Sequence, residues 1–129
     1  HSAATVLVVD DDEFALQSMR DALAPLRPAS ISTAVDGMAA LRFIKSAAHP
    51  PDVLICDVYM PNMDGLEFLD QLAHMQFQGG VVVVSGQNIQ MLDMARQIAS
   101  TSGLRVLGAF TKPVLQAQLW AAMGLDASD

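Results

Sequence analysis

Five short apolar runs alternate with five stretches of helical periodicity, and that alternation restricts the chain to very few architectures. The runs fall near residues 5–9, 29–34, 52–57, 81–85 and 105–110. After them, Ala15, Met19, Ala22 and Leu23 share one helical face, as do Ala40, Leu41, Ile44 and Ala47. Leu66, Leu69 and Ala73 repeat the spacing, followed by Met91, Leu92, Ala95, Ile98 and Ala99, then by Leu115, Leu119, Ala122 and Met123. Short strands that are apolar along their whole length belong in a parallel sheet covered on both faces. Five β-α units therefore predict an α/β domain of the (βα)5 doubly wound kind.

Punctuation supports the division. Asp36-Gly37 precedes the second helix, and Asp64 with Glu67 three residues on resembles a capping box at the third. Asn88 is a candidate cap for the fourth, and Pro113 is expected in the first turn of the fifth. Pro25 and Pro28, Pro50-Pro51, Gly79-Gly80 and Gly103 mark the stops. With 129 residues and no linker or repeat, a single domain over 1–129 is expected, its core about 4–124.

The net charge of −7 argues against nucleic-acid binding, which needs clustered Lys and Arg. No apolar stretch approaches the ~18 residues of a membrane span, and no secretory leader pattern opens the chain. The single cysteine, Cys56, permits no internal disulfide, fits a cytoplasmic setting and reads as a buried inert thiol.

What the strands end in carries the chemistry. The first stops at Asp10-Asp11-Asp12, the third at Asp57, the fourth at Ser85 and the fifth at Lys112-Pro113. In a parallel sheet these ends open into one crevice. Two carboxylates at ~4 Å repel by about 4 kcal/mol at an effective dielectric near 20. Such a cluster calls for protonation or a cation, and its hard oxygen donors favour Mg²⁺ or Mn²⁺. Asp10 and Asp11 are the candidate ligands, whereas Asp12 and Glu13 read as residues that favour the positive end of the first helix. Asp57 is the candidate nucleophile for a phosphoryl group, Lys112 and Ser85 its stabilisers.

Thr5-Val-Leu-Val-Val-Asp-Asp-Asp, Asp52-Val-Leu-Ile-Cys-Asp57-Val-Tyr-Met-Pro-Asn-Met-Asp-Gly65, Val83-Val-Ser-Gly and Thr111-Lys-Pro together resemble the receiver domain of two-component response regulators. The resemblance implies the flavodoxin-like strand order 2-1-3-4-5. It implies that Asp57 accepts phosphate from a phosphohistidine on a histidine kinase or phosphotransfer protein. Such a signalling receiver is not an enzyme in the usual sense, although it catalyses its own phosphorylation. Asp11, Asp57 and the backbone carbonyl of Tyr59 would bind the cation, with Asp10 acting largely through water. Ser85 and Lys112 match the family's switch hydroxyl and lysine, while Tyr59 and Gln87 occupy positions that influence phosphate lifetime. The fourth helix, fifth strand and fifth helix would form the face that changes, and a homodimer contact or an output domain on that face would read the change. Pro61 and Gly65 would shape the loop after the acceptor, with Met60 and Met63 as packing residues.

The pattern departs from the family at Ala109, where receivers commonly carry Tyr or Phe. Phe110 follows it and is expected on the opposite side of the strand. Switching is then expected through the fourth helix or backbone shifts. The span from Ser85 to Lys112 is longer than is typical, which predicts a long fourth helix. Leu107-Gly108-Ala-Phe-Thr-Lys112-Pro113 is similar to receivers fused to EAL-type cyclic-di-GMP phosphodiesterases, an output that would lie outside this chain.

Three alternatives are distinguishable. A haloacid-dehalogenase-like phosphatase would carry an acidic residue two positions after its nucleophile, where Tyr59 stands. A flavodoxin-like nucleotide binder would not place Asp10-Asp11-Asp12-Glu13 against a phosphate. A pseudo-receiver, an interaction module independent of phosphorylation, would have little use for the complete set of Asp10, Asp11, Asp57, Ser85 and Lys112. Trp120 is read as a packing or interfacial residue, Met91 and Met94 as core or partner edge, and His49 and His74 as solvated.

Overall fold

The computed structural model describes residues 4–59, 65–86 and 89–123. Strands β1 (Thr5–Val9), β2 (Ser30–Ala34), β3 (Val53–Asp57), β4 (Gly80–Ser85) and β5 (Arg105–Thr111) alternate with helices α1 (Glu13–Leu23), α2 (Gly37–Ser46), α3 (Gly65–His74), α4 (Ile89–Thr101) and α5 (Gln116–Ala122). All pairings are parallel, and the order is β2-β1-β3-β4-β5. This is the doubly wound sheet that the alternation predicts.

Side chains along each strand divide between two cores. Leu7, Val9, Leu54, Cys56, Val81 and Val83 join one cluster with the buried faces of α2, α3 and α4. Val6, Val8, Val53, Ile55, Val82 and Val84 join the other, with Leu16, Met19, Leu23 and Leu119 from α1 and α5. The period of two along a strand is what separates them. β3 and β4 are buried at every position, so polar side chains can enter only at their ends. At the N-terminal edge of the sheet, Thr5 and Asp52 bond reciprocally, the Thr5 amide to Oδ2 at 2.9 Å and the Asp52 amide to Oγ1 at 3.0 Å.

Local signals account for the helices. Asp12 caps α1 by accepting from the Phe14 amide, and Asp36 caps α2 by accepting from the Ala39 amide. Glu13 lies in the first turn of α1, as expected. α4, with 13 residues, is the longest of the five. Gly103 takes φ +95 just beyond it, a conformation suited to glycine. At the start of α3, a Cβ on Gly65 would overlap the Val58 backbone, and the Gly65 amide donates to the Val58 carbonyl at 3.1 Å. Close approach is the reason for glycine there. Asp64 and Asn88, the expected caps of α3 and α4, lie outside the described residues, as do Met60, Pro61 and Met63.

Three expectations need correction. Pro113 is not in the first turn of α5, which begins at Gln116. Leu115 stands at the N-cap, 61% exposed, and does not join the buried face. The Leu115 amide donates instead to the Gln118 side chain at 2.9 Å, which starts the helix three residues later than the proline suggests. In α1, Leu16 is buried while Ala15 and Ala22 are only half-buried, so the inward stripe is centred one residue further round.

β5 departs from regular alternation. Val81 pairs with Val106 but Val82 pairs with Gly108, leaving Leu107 as an extra residue. The bulge puts Val106 and Ala109 on the α4 side and Leu107 and Phe110 on the α5 side. Ala109 and Phe110 do face opposite ways, as expected. His49 and His74 are exposed, Trp120 is half-buried, Met91 packs against the core and Met94 is half-exposed. No described helix is long and apolar enough to cross a membrane.

Candidate functional site

Parallel register gathers the site. Val9 pairs with Cys56, and Asp57 pairs with Val84, so the residues after β1 and at the ends of β3 and β4 meet at one edge. Asp10, Asp57 and Ser85 are buried, while Asp11 is exposed at the mouth. Carboxylate oxygens of Asp10, Asp11 and Asp57 all lie within 4.8 Å of one another. Lys112 arrives from beyond β5, where its amide donates to the Ser85 carbonyl at 2.9 Å. Its Nζ lies 2.5 Å from Oδ2 of Asp10 and 2.8 Å from Oδ2 of Asp57.

The remaining oxygen of each buried carboxylate is held by the main chain. Oδ1 of Asp10 accepts from the Asp12 amide at 3.0 Å, and Oδ1 of Asp57 accepts from the Tyr59 amide at 2.9 Å. Both are the local turn that aspartate makes with the amide two residues on. Tyr59 itself is 63% exposed, and its position is fixed by its amide rather than by its ring.

Charge does not balance. One ammonium faces two buried carboxylates, with Asp11 adjoining them. Burial pushes the Asp57 carboxyl above the usual range, and the Asp10 charge adds to this, against the Lys112 and Tyr59 hydrogen bonds. For Lys112, burial works against the ammonium, but hydrogen bonds and charges from Asp10 and Asp57 outweigh it and raise its pKa. Lys112 thus stays cationic, and the excess of negative charge is available to a cation. An all-oxygen donor set at the lip of an open crevice fits Mg²⁺ or Mn²⁺. Beside the crevice, between α1 and the segment entering α5, lies a cavity of about 340 Å³ lined by Val84, Lys112, Pro113, Val114, Met19 and Phe14.

A family model for the response regulator receiver domain matches residues 6–123. The chain belongs to this receiver family. Among relatives, the receiver is 36% identical over 111 residues to the cyclic di-GMP phosphodiesterase RocR of Pseudomonas aeruginosa, covering 84% of this chain and 27% of RocR. It is 45% identical over 67 residues to the response regulator MprA of Mycobacterium avium, covering 52% of this chain and 28% of MprA. The chain thus spans little more than a quarter of the length of either. Among solved structures, a receiver domain protein from Clostridium thermocellum superposes with TM-score 0.79 at 24% identity, covering 94% of this chain and 91% of that one. The chemotaxis protein CheY4 of Vibrio cholerae does so with TM-score 0.76 at 26% identity, covering 95% and 98%.

Of the residues singled out in the sequence, the receiver brings Asp10, Asp11, Asp57 and Lys112 into one cluster and sets Ser85 beside it through the Lys112 amide. Ala109 stands apart, half-buried on the α4 side of β5. Gln87 lies outside the described residues. The amides of Asp12 and Tyr59 were not foreseen as parts of the site, although the Asp-x-Asp and Asp-x-Tyr spacings carry the turn signal.

Proposed function

We propose that this receiver takes a phosphoryl group onto Asp57 from a phosphohistidine of a histidine kinase or phosphotransfer protein, with the help of Mg²⁺ or Mn²⁺. The reading rests above all on one arrangement. Asp57, buried at a strand end, shares the Lys112 ammonium with Asp10 while Asp11 lies at the mouth. Asp10, Asp11 and Asp57, with the Tyr59 carbonyl, would hold the cation, which supplies charge neutralisation for the transferred group when bound.

The Tyr59 amide orients the Asp57 carboxylate. One of its oxygens forms the O–P bond as the donor's N–P bond breaks and the imidazole nitrogen leaves with the electron pair. Transfer of this kind asks mainly for positioning and charge stabilisation. Lys112 leaves one carboxylate oxygen and pairs with a phosphoryl oxygen, and the Ser85 hydroxyl donates to another. The new charge then biases β5 and its neighbouring helices toward a second arrangement, by no more than its differential interaction with the two states. Similarity to the cyclic di-GMP phosphodiesterase RocR over most of this chain supports a phosphodiesterase output outside it, and we assign that output to the EAL type and the protein to the cytoplasm as part of the same proposal.

Intact-protein mass after incubation with acetyl phosphate, and separately with a phosphohistidine donor, tests the proposal. One phosphoryl adduct that requires both the divalent cation and Asp57 is expected. Equal adduct in Asp57→Asn would overturn the assignment, and no adduct with either donor would favour the phosphorylation-independent interaction module.

A further inference from the structure

The departure at Ala109 leaves the receiver without a ring on the α4 side of β5, and an alanine has no side-chain rotamer to switch. The aromatic residue of this strand stands on the other side. Phe110 packs with Leu107, Val114, Ala122 and Met123 against the cluster that joins the sheet to α1 and α5. Its ring fills the space where a side chain at position 108 would stand. A Cβ on Gly108 would lie 2.6 Å from Phe110 Cζ and 3.5 Å from the Ala122 Cβ. Gly108 is what lets the ring lie between β5 and the last turn of α5.

Three further features make this contact movable. Among the described residues β5 is an edge strand, paired only with β4, so its C-terminal end is restrained from one side. α5 has seven residues and a single buried one, Leu119. The segment that enters α5 lines the cavity of about 340 Å³ through Pro113 and Val114, so a displacement there has room. Phe110 stands in β5 two residues before Lys112, the first residue beyond the strand, and Lys112 lines the same cavity as Pro113 and Val114. Lys112 is tied at one end to Asp10 and Asp57 and at the other, through its amide, to Ser85.

We propose that Phe110 is a positioning residue that couples the state of Lys112 to α5, so that this receiver is read through the β5–α5 contact rather than through a ring moving against α4. The trigger rests on the phosphoacceptor reading above, but the coupling itself does not. Any change that alters how Lys112 is held reaches Phe110 along the strand end, and Phe110 shifts α5 at its last turn, where Ala122 lies. Trp120, the only tryptophan, lies on that helix and reports its position. Its Nε1 is buried with no hydrogen-bond partner among the described residues, so its resonance is sensitive to any acceptor that approaches when the helix moves.

The test uses the 129-residue chain and two readouts on the same samples: the Trp120 indole resonance with the Ala95 and Ala99 amides of α4, and intact mass for phosphoryl occupancy. A double-mutant cycle of Asp57→Asn with Phe110→Leu needs no phosphorylation. Asp57→Asn is expected to move the Trp120 resonance in the Phe110 protein, and that movement should fall at least about threefold in Phe110→Leu. Gly108→Ala, which displaces the ring directly, should move Trp120 with no change at Asp57. With phosphoryl donor and Mg²⁺, Phe110→Leu should gain the same adduct as the parent protein, with the Trp120 response reduced and the Ala95 and Ala99 amides little changed in either.

A Trp120 response to Asp57→Asn that is undiminished in Phe110→Leu would overturn the coupling, as would amides of α4 that move further than Trp120. Absence of any adduct would count against the phosphoacceptor reading alone, because the cycle still decides whether Phe110 links the crevice to α5.

Discussion

Asp10 and Asp57 are held in the same way from different strands. In each, Oδ1 accepts the amide two residues further on, and Oδ2 takes the Lys112 ammonium. The main chain thus holds one oxygen of each carboxylate, and one ammonium joins the other two. The two main-chain bonds do not involve the lysine, so the carboxylates keep them whether or not Lys112 is in place.

Removing that lysine should therefore separate positioning from charge stabilisation. Lys112→Met is expected to slow phosphorylation of Asp57 by about 100-fold, the scale of losing one preorganised donor. Lys112→Arg should recover little, since a planar guanidinium does not fit a point-charge site. Adduct formation against time, by intact mass, checks both.

The excess of carboxylate over ammonium predicts stabilisation by divalent cations. At ten times its dissociation constant, Mg²⁺ should add about 1.4 kcal/mol to unfolding free energy. Asp11→Asn should reduce the effect at a given concentration, because Asp11 lies at the mouth and contributes to the oxygen cluster. Thermal unfolding at several Mg²⁺ concentrations gives the answer, and an unchanged response in Asp11→Asn would remove this residue from the site.

Cys56 supplies a pH dependence with a definite sign. Burial pushes its thiol far up, and the charges of Asp57 and Asp10 push it further. In the unfolded chain the thiol ionises near ~8.5, so above that pH the unfolded state loses a proton that the folded state keeps. The thiol's contribution is fully present below that pH, and stability should fall above it by about 1.4 kcal/mol per pH unit from this group. Urea unfolding between neutral and alkaline pH should show a shallower decline in Cys56→Ala. The native protein should also resist thiol alkylation until it is unfolded.

Gly65→Ala tests the approach of α3 to the acceptor strand. Its Cβ would overlap the Val58 backbone, which cannot rotate away as a side chain could. A loss of roughly 1–3 kcal/mol, the usual scale of overpacking, is expected from urea unfolding. A loss near zero would mean that α3 can shift outward at no cost.

The sheet and the crevice were legible because both are written in one dimension. Continuous apolar runs reveal strands buried on two faces, and the residue that ends each run must then lie at the rim. Asp10, Asp57, Ser85 and Lys112 were placed by that reasoning alone. The late start of α5 was not, because a proline is compatible with a first helical turn and with the extended segment Pro113-Val114-Leu115 alike. Leu16 is not singled out by the pattern because Ala15 and Leu16 both fit helical spacing to Met19 and Leu23. Nor does an all-apolar strand show its phase: Val106-Leu107-Gly108-Ala109-Phe110 reads the same with or without an extra residue.

That extra residue gives β5 a movable frame. Everything before Leu107 is counted from the start of the strand, and everything after it from Lys112. A single insertion or deletion at this point would exchange the faces shown by the first half while Phe110, Thr111 and Lys112 stayed where they are. Changing the length of this one strand would thus exchange Arg105 and Val106 between the two sides of the sheet, with the chemistry at its end left untouched.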